Sequence, residues 1–146
     1  MISDSPDPAA LGHALQALVN RVSHRGGASL EIMASAQVTL QQVLLLARIL
    51  ETRAAAPSVL AAQLGMSPSS ISQMLDRLAQ LELIVRSEHP TDRRKRQITL
   101  SSQGRRLMAR LQKARADEYA AGVAGLSEPV RRRLWLALHA ALDEMS

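Results

Sequence analysis

The chain has 146 residues, of which 47% are hydrophobic, and a formal charge of +5. That is the size of one domain with enough apolar content for a core, which excludes a globally disordered chain, and the positive balance points to an anionic partner. Cysteine is absent, which excludes disulfides, thiolate metal sites, a cysteine nucleophile and a thiol redox switch.

Phe is absent and the aromatic side chains are Tyr119 and Trp135 alone, so Leu, Ala, Val, Ile and Met must fill the core. This composition favours helices. Arg carries most of the positive charge, and Arg suits bidentate phosphate and guanine contacts better than Lys does. The opening residues Met1-Ile2-Ser3-Asp4-Ser5-Pro6-Asp7 are acidic and polar where a signal peptide would be basic and then apolar. The longest strongly apolar run, Val43 to Ala47, falls far short of the ~20 residues a spanning helix needs. The expectation is a cytoplasmic protein without a membrane partner.

In chain order, Asp7-Pro8 is a helix-start signal, with Leu11, Leu15, Leu18, Val19 and Val22 as the stripe and Gly26-Gly27 as the stop. Leu30 to Ala34 forms a short helical piece. Thr39 caps a longer helix ending at Leu50 or Thr52, with Leu40, Val43, Leu44, Ala47 and Leu50 on one face. Leu45, Leu46 and Ile49 widen that face, so this helix is central and covered on several sides. Arg53 to Pro57 then links to the next helix.

From Pro57 onwards the pattern becomes specific. Val59 to Leu64 has helical apolar spacing, and Gly65 supplies the left-handed residue that ends a helix. Ser67 is an N-cap and Pro68 suits the first helical position of a helix running to about Leu81. Ile71, Met74, Leu75, Leu78 and Leu81 make its buried stripe, whereas Ser69, Ser70, Gln73, Asp76, Arg77 and Gln80 form a polar face. Two helices joined by a tight Gly-containing turn describe a helix-turn-helix. Ile84 to Glu88 reads as a strand, His89 to Asp92 as a turn and Gln97 to Leu100 as the returning strand, with Arg93-Arg94-Lys95-Arg96 at the tip. Four adjacent cations repel one another, and a polyanion alongside relieves that repulsion.

After this hairpin, Ser101 caps a long helix through about Ala121. Leu107, Met108, Leu111 and Ala114 are its buried side, while Arg105, Arg106, Arg110, Lys113 and Arg115 crowd the rest. Gly122, Gly125 and Ser127-Glu128-Pro129 divide it from a last helix reaching about Met145. The stripe of that helix is Val130, Leu134, Leu138, Ala141, Leu142 and Met145, with Arg131, Arg132 and Arg133 on the solvated side. The chain ends thus carry apolar stripes that mark an interface. The fold class is mainly α with a small β-hairpin wing: a winged helix-turn-helix domain flanked by N- and C-terminal dimerisation helices. One domain spans 1–146, with the winged lobe at about 38–100 and the dimerisation helices at about 8–25 and 102–145.

Leu64-Gly65-Met66-Ser67-Pro68-Ser69-Ser70-Ile71-Ser72-Gln73-Met74-Leu75-Asp76-Arg77-Leu78, Asp92-Arg93-Arg94 and Leu100-Ser101-x-x-Gly104 together resemble the MarR family of bacterial transcription regulators. Val38-Thr39-Leu40-Gln41-Gln42 resembles the start of that family's second helix. The resemblance covers about residues 38 to 108 and is specific as an ensemble. It implies dimerisation through the terminal helices and Arg94 as the residue entering the minor groove. The family often binds small aromatic anions, but a chain with so few aromatics has little to stack them on, so its effector is open. Oxidant sensing through Cys, which some members use, is ruled out here. Gln73 stands where the family often has Arg. Glu82 stands where it usually has a helix-ending Gly, so this turn either takes another route or accepts strain of roughly 1 kcal/mol.

The expected function is therefore a homodimeric, ligand-responsive repressor of transcription that reads a palindromic or pseudo-palindromic operator in double-stranded DNA. Ser67, Ser69, Ser70, Gln73, Arg77, Arg86, Arg93, Arg94, Lys95 and Arg96 are the expected DNA contacts. Asp92 orients the wing, and Asp76 orients Arg77 or another Arg. Leu11, Leu15, Leu18, Val22, Leu134, Leu138 and Leu142 form the dimer interface. Tyr119 and Trp135 serve core or interface packing, or else line an effector pocket. His13 and His24 lie roughly 16 Å apart along one helix, too far to share an ion. His89 and His139 have no ligand spacing, so neither metal nor cofactor is expected. An enzyme is disfavoured by the lack of a phosphate-cradling Gly loop and of paired carboxylates. The alternative is a winged-helix interaction module whose basic wing meets an acidic protein partner.

Overall fold

The computed structural model describes residues 7–23, 27–92 and 96–145. The chain divides into two compact units, Ala28–Lys113 and a second made of Met1–Gly27 with Ala114–Ser146.

The first unit holds helices α2 (Ala28–Ser35), α3 (Leu40–Thr52), α4 (Pro57–Leu64) and α5 (Pro68–Gln80), strands β1 (Ile84–Glu88) and β2 (Arg96–Leu100), and the start of helix α6 (Ser102–Val123). α3 begins with a reciprocal cap. The Thr39 hydroxyl accepts from the Gln42 N–H at 3.3 Å, and the Gln42 side chain accepts from the Thr39 N–H at 2.9 Å. Its buried residues are Gln42, Leu45, Leu46 and Ile49, whereas Leu40 and Leu44 are about half exposed. The expected inward face of α3 is thus corrected: the helix is apolar over so wide an arc that periodicity alone did not select the side that packs. The core is aliphatic, with Leu45, Leu46, Ile49, Leu60, Ile71, Leu75, Leu78 and Ile98 fully buried.

β1 and β2 pair antiparallel, with Ile84 opposite Leu100, Arg86 opposite Ile98 and Glu88 opposite Arg96. β2 starts one residue earlier than expected, which moves Arg96 from the tip into the ladder, where opposite charges across the strands favour one more pair. The segment expected to be a plain link also joins in. Ala55 donates to the Ile98 carbonyl at 3.1 Å and accepts from the Ile98 N–H at 2.8 Å, tying the other edge of β2 to the helical layer.

The turn from α5 to β1 takes the strained route. Glu82 sits at φ 57°, in the left-handed region. The Glu82 N–H donates to the Ala79 carbonyl and the Leu83 N–H to the Leu78 carbonyl, both at 3.0 Å, so the last turn of the helix is closed as a Schellman motif. The buried pair Leu78 and Leu83 is its apolar clasp. Ser101 then locks α6 onto this corner. Its hydroxyl donates to the Glu82 carbonyl at 2.6 Å and accepts from the Gly104 N–H at 3.0 Å, while its N–H donates to the Leu83 carbonyl. A Cβ on Gly104 would stand 2.1 Å from the Leu83 oxygen, which is the physical reason for Gly in the Leu100-Ser101-x-x-Gly104 segment.

The second unit holds α1 (Pro8–Ser23), the later turns of α6, and α7 (Glu128–Glu144). The Asp7 carboxylate accepts from the Ala10 N–H at 2.6 Å, as the Asp7-Pro8 start signal requires. Val22 is buried, and a Cβ on Gly122 would come within 2.5 Å of the Val22 Cβ, so α1 and α6 approach closely there. No residue of α7 is buried. Ser127 occupies the N-cap of α7 but makes no side-chain cap bond. The Arg131 guanidinium instead donates to the Leu126 and Ala124 carbonyls, so this arginine, exposed on the solvated side of α7 as expected, also closes the α6–α7 turn. Among the described residues, no single helix is long and apolar enough to cross a membrane.

Candidate nucleic-acid interface

α4 ends on Gly65, whose φ of 61° is the left-handed cap, and its N–H returns to the last carbonyls of the helix. α5 therefore starts after a tight turn, with its direction fixed by the burial of Ile71, Leu75 and Leu78. The opposite arc faces solvent and carries Ser69, Gln73, Asp76 and Arg77. At its head, the Ser67 hydroxyl accepts from the Ser70 N–H at 3.2 Å and lies 3.1 Å from the Ser69 hydroxyl and 2.8 Å from that of Ser70. Ser67 is thus engaged in capping, and it gathers the other two serines at the positive end of the helix dipole, where an anion is favoured.

Gln73 shares a shallow surface groove of about 490 Å³ with Gln41, Gln42, Met66, Ser70 and Met74. Gln41 and Gln42 come from the first turn of α3, some thirty positions away in sequence. Gln41 is exposed and is a polar neighbour that the reading of α5 alone did not find, because only the packing of α3 against the helix-turn-helix brings it there. Arg77 reaches back to donate to the Gln37 side-chain oxygen at 3.4 Å. Gln37 lies in the loop before α3, itself at φ 55°.

On the wing, Arg86 donates to the Asp76 carboxylate at 2.5 Å, which identifies the arginine that Asp76 orients. Arg96 is exposed at the start of β2. The described part of the tip is a turn in which the Asp92 N–H donates to the His89 carbonyl at 3.3 Å and the His89 Nδ1 accepts from the Thr91 N–H at 3.3 Å. His89 therefore closes the turn, a role that no sequence spacing signalled. Arg93, Arg94 and Lys95 lie outside the described residues.

The expected interface residues belong to the second unit. Leu11, Leu15, Leu138 and Leu142 are exposed, Leu18 and Leu134 are partly covered, and Val22 is engaged within its own chain. Tyr119 and Trp135 line an apolar groove of about 570 Å³ together with Val123, Leu134 and Leu138. Trp135 stacks on His139 of the same helix with ring centroids 3.9 Å apart, yet remains 57% exposed. Among the described residues there is no group of three side chains placed to hold a metal ion.

A glycine-turned helix pair, a second helix that is polar outside and a two-stranded hairpin packed behind it define a winged helix-turn-helix protein. Residues 38–95, within the winged lobe, match the model of the MarR family, whose members are transcription regulators and not enzymes. No curated protein is similar enough in sequence to count as a match. Among solved structures, RV1404 from Mycobacterium tuberculosis is 29% identical, with 98% of this chain and 96% of that chain covered at a TM-score of 0.76. The transcriptional regulator Tm0710 from Thermotoga maritima is 17% identical, with 92% and 93% covered at a TM-score of 0.77. A MepR mutant from S. aureus, solved bound to an oligodeoxyribonucleotide, is 16% identical, with 98% and 100% covered at a TM-score of 0.65. At their identities the last two speak for the fold alone.

Proposed function

We propose that this protein is a homodimeric, ligand-responsive repressor that acts in the cytoplasm on double-stranded DNA. Each subunit would lay α5 in the major groove, with Ser69, Ser70 and Gln73 towards the bases and Arg77 towards the backbone. The wing, with Arg93, Arg94, Lys95 and Arg96, would follow the adjoining minor groove, Arg94 entering it and Asp92 holding the tip. The observation that carries this reading is the outward polar arc of α5, headed by the three serines and flanked by the wing, on a lobe that matches the MarR family model.

Dimerisation through the helices at the two chain ends is supported by their uncovered apolar side chains. α7 buries nothing, and Leu11, Leu15, Leu138 and Leu142 are all more than 40% exposed. Exposed apolar surface of this extent marks an interaction site, and a second copy of the same stripe is the self-complementary occupant a two-fold axis provides. Such a dimer would hold two recognition helices at the ~34 Å spacing of successive major grooves on one face of DNA. An effector acts by binding one separation of the two lobes better than the other.

The test is competition at physiological salt between duplex DNA from the protein's own upstream region and random duplex. Preference for the upstream duplex supports the reading. Equal weak binding of both, together with tight binding of an acidic protein, would replace it with the interaction-module reading.

A further inference from the structure

Asp76 is the one acid on α5. It follows Ser69 and Gln73 at helical spacings of four and three, so it stands in the same outward file as the residues assigned to base contact. A bare carboxylate there would face the phosphates of any duplex seated on α5. Asp76 is not bare, because its Oδ1 accepts from the Nη2 of Arg86 at 2.5 Å.

Arg86 belongs to the wing. Side chains alternate along a strand, so Arg86 shares its face with Ile84 and, across the ladder, lies opposite Ile98, both buried. The core-facing side of the wing thus passes from apolar to cationic as it leaves the core, and its first cation reaches α5. With side chains 57% and 36% exposed for Asp76 and Arg86, the pair contributes little to folding. What it does is join the two elements that meet DNA.

We infer that the Asp76–Arg86 pair is a positioning and specificity device of the DNA-binding surface, fixing the wing against α5 while withdrawing one cation from phosphate contact. The inference rests on the DNA-binding reading above. Binding to random sequence is almost wholly phosphate electrostatics, so a cation held by an internal acid lowers non-specific affinity without touching base contacts. Binding to the right sequence needs helix and wing in their two grooves at once, and a strut between them fixes that angle in advance. Both effects widen the gap between right and wrong DNA. Arg86 is accordingly a positioning residue and not one of the phosphate contacts.

The experiment compares wild type with Asp76→Asn, Arg86→Gln and the double variant, each titrated with salt on a random-sequence duplex and on a duplex that the wild type selects from a random pool. Asp76→Asn frees Arg86, so the slope of log affinity against log salt on random duplex should steepen by about 0.9 and the selected-to-random affinity ratio should fall several-fold. Removing both charges should return the random-duplex slope to that of wild type while binding to the selected duplex stays weakened, because the strut is still missing. Asp76→Glu, which keeps the ion pair, should retain most of the ratio. An unchanged slope and ratio in Asp76→Asn would overturn the inference, as would a double variant whose random-duplex slope is shallower than wild type, since Arg86 would then be a phosphate contact itself. Wild-type protein that binds neither duplex would instead overturn the DNA-binding reading.

Discussion

Glu82 shows how one residue can carry a cost that the surrounding corner outweighs. Its left-handed backbone is disfavoured for a side chain bearing Cβ, yet it allows the two closing hydrogen bonds of α5 and places the carbonyl that Ser101 grips. Glu82→Gly should therefore raise unfolding free energy by about 0.5–1 kcal/mol in a urea titration, with no change in the fold. A loss of stability would mean that the Glu82 side chain supports the corner. Gln73 is the counterpart in the proposed function. It is exposed beside Gln41 and Ser70, and the proposal has it read a base. Gln73→Ala should change the preference among operator variants, by about 1–3 kcal/mol at the base it meets. Equal losses on every sequence, read in competition gel shifts, would move Gln73 to the phosphate class.

At the scale of elements, what could be read from the sequence was what is local. The cap Ser67, the N1 proline and the buried Ile71, Leu75 and Leu78 of α5 all lie close together in sequence, and each appears where the spacing puts it. The same holds for Asp7 at α1 and Thr39 at α3. What could not be read was non-local or degenerate. α3 is apolar around most of its circumference, so the choice of Leu45, Leu46 and Ile49 over Leu40 and Leu44 came from the neighbours that pack on it. The bridge from Ala55 to Ile98 and the partner of Asp76 lie on other elements, where no helical or strand period reaches. The wing raises its own prediction. Arg94→Ala should weaken binding to all duplexes and flatten the salt slope by about 0.9, since one phosphate-region cation is lost. A slope equal to wild type would remove the wing from the interface.

For the whole molecule, the telling feature is the apolar surface that α1 and α7 leave uncovered at Leu11, Leu15, Leu138 and Leu142. Trp135, the one tryptophan, sits within it and supplies a built-in probe. If two copies meet through these helices, Trp135 emission should shift to shorter wavelength as protein concentration rises through the dimer dissociation constant. Replacing Leu138 and Leu142 together by Asp should abolish the shift, yield monomers in sedimentation, and reduce operator binding to that of a single half-site. Dimers persisting in that variant would place the subunit contact elsewhere.

The most direct measurement is to let the protein choose its DNA. Sequencing the duplexes that it retains from a random pool should reveal an inverted repeat whose half-site centres are separated by about one helical turn, roughly 10–10.5 base pairs, as two symmetry-related recognition helices require. Retained fragments with no common sequence, or with one unrepeated half-site, would contradict paired α5 helices presented by a two-fold assembly.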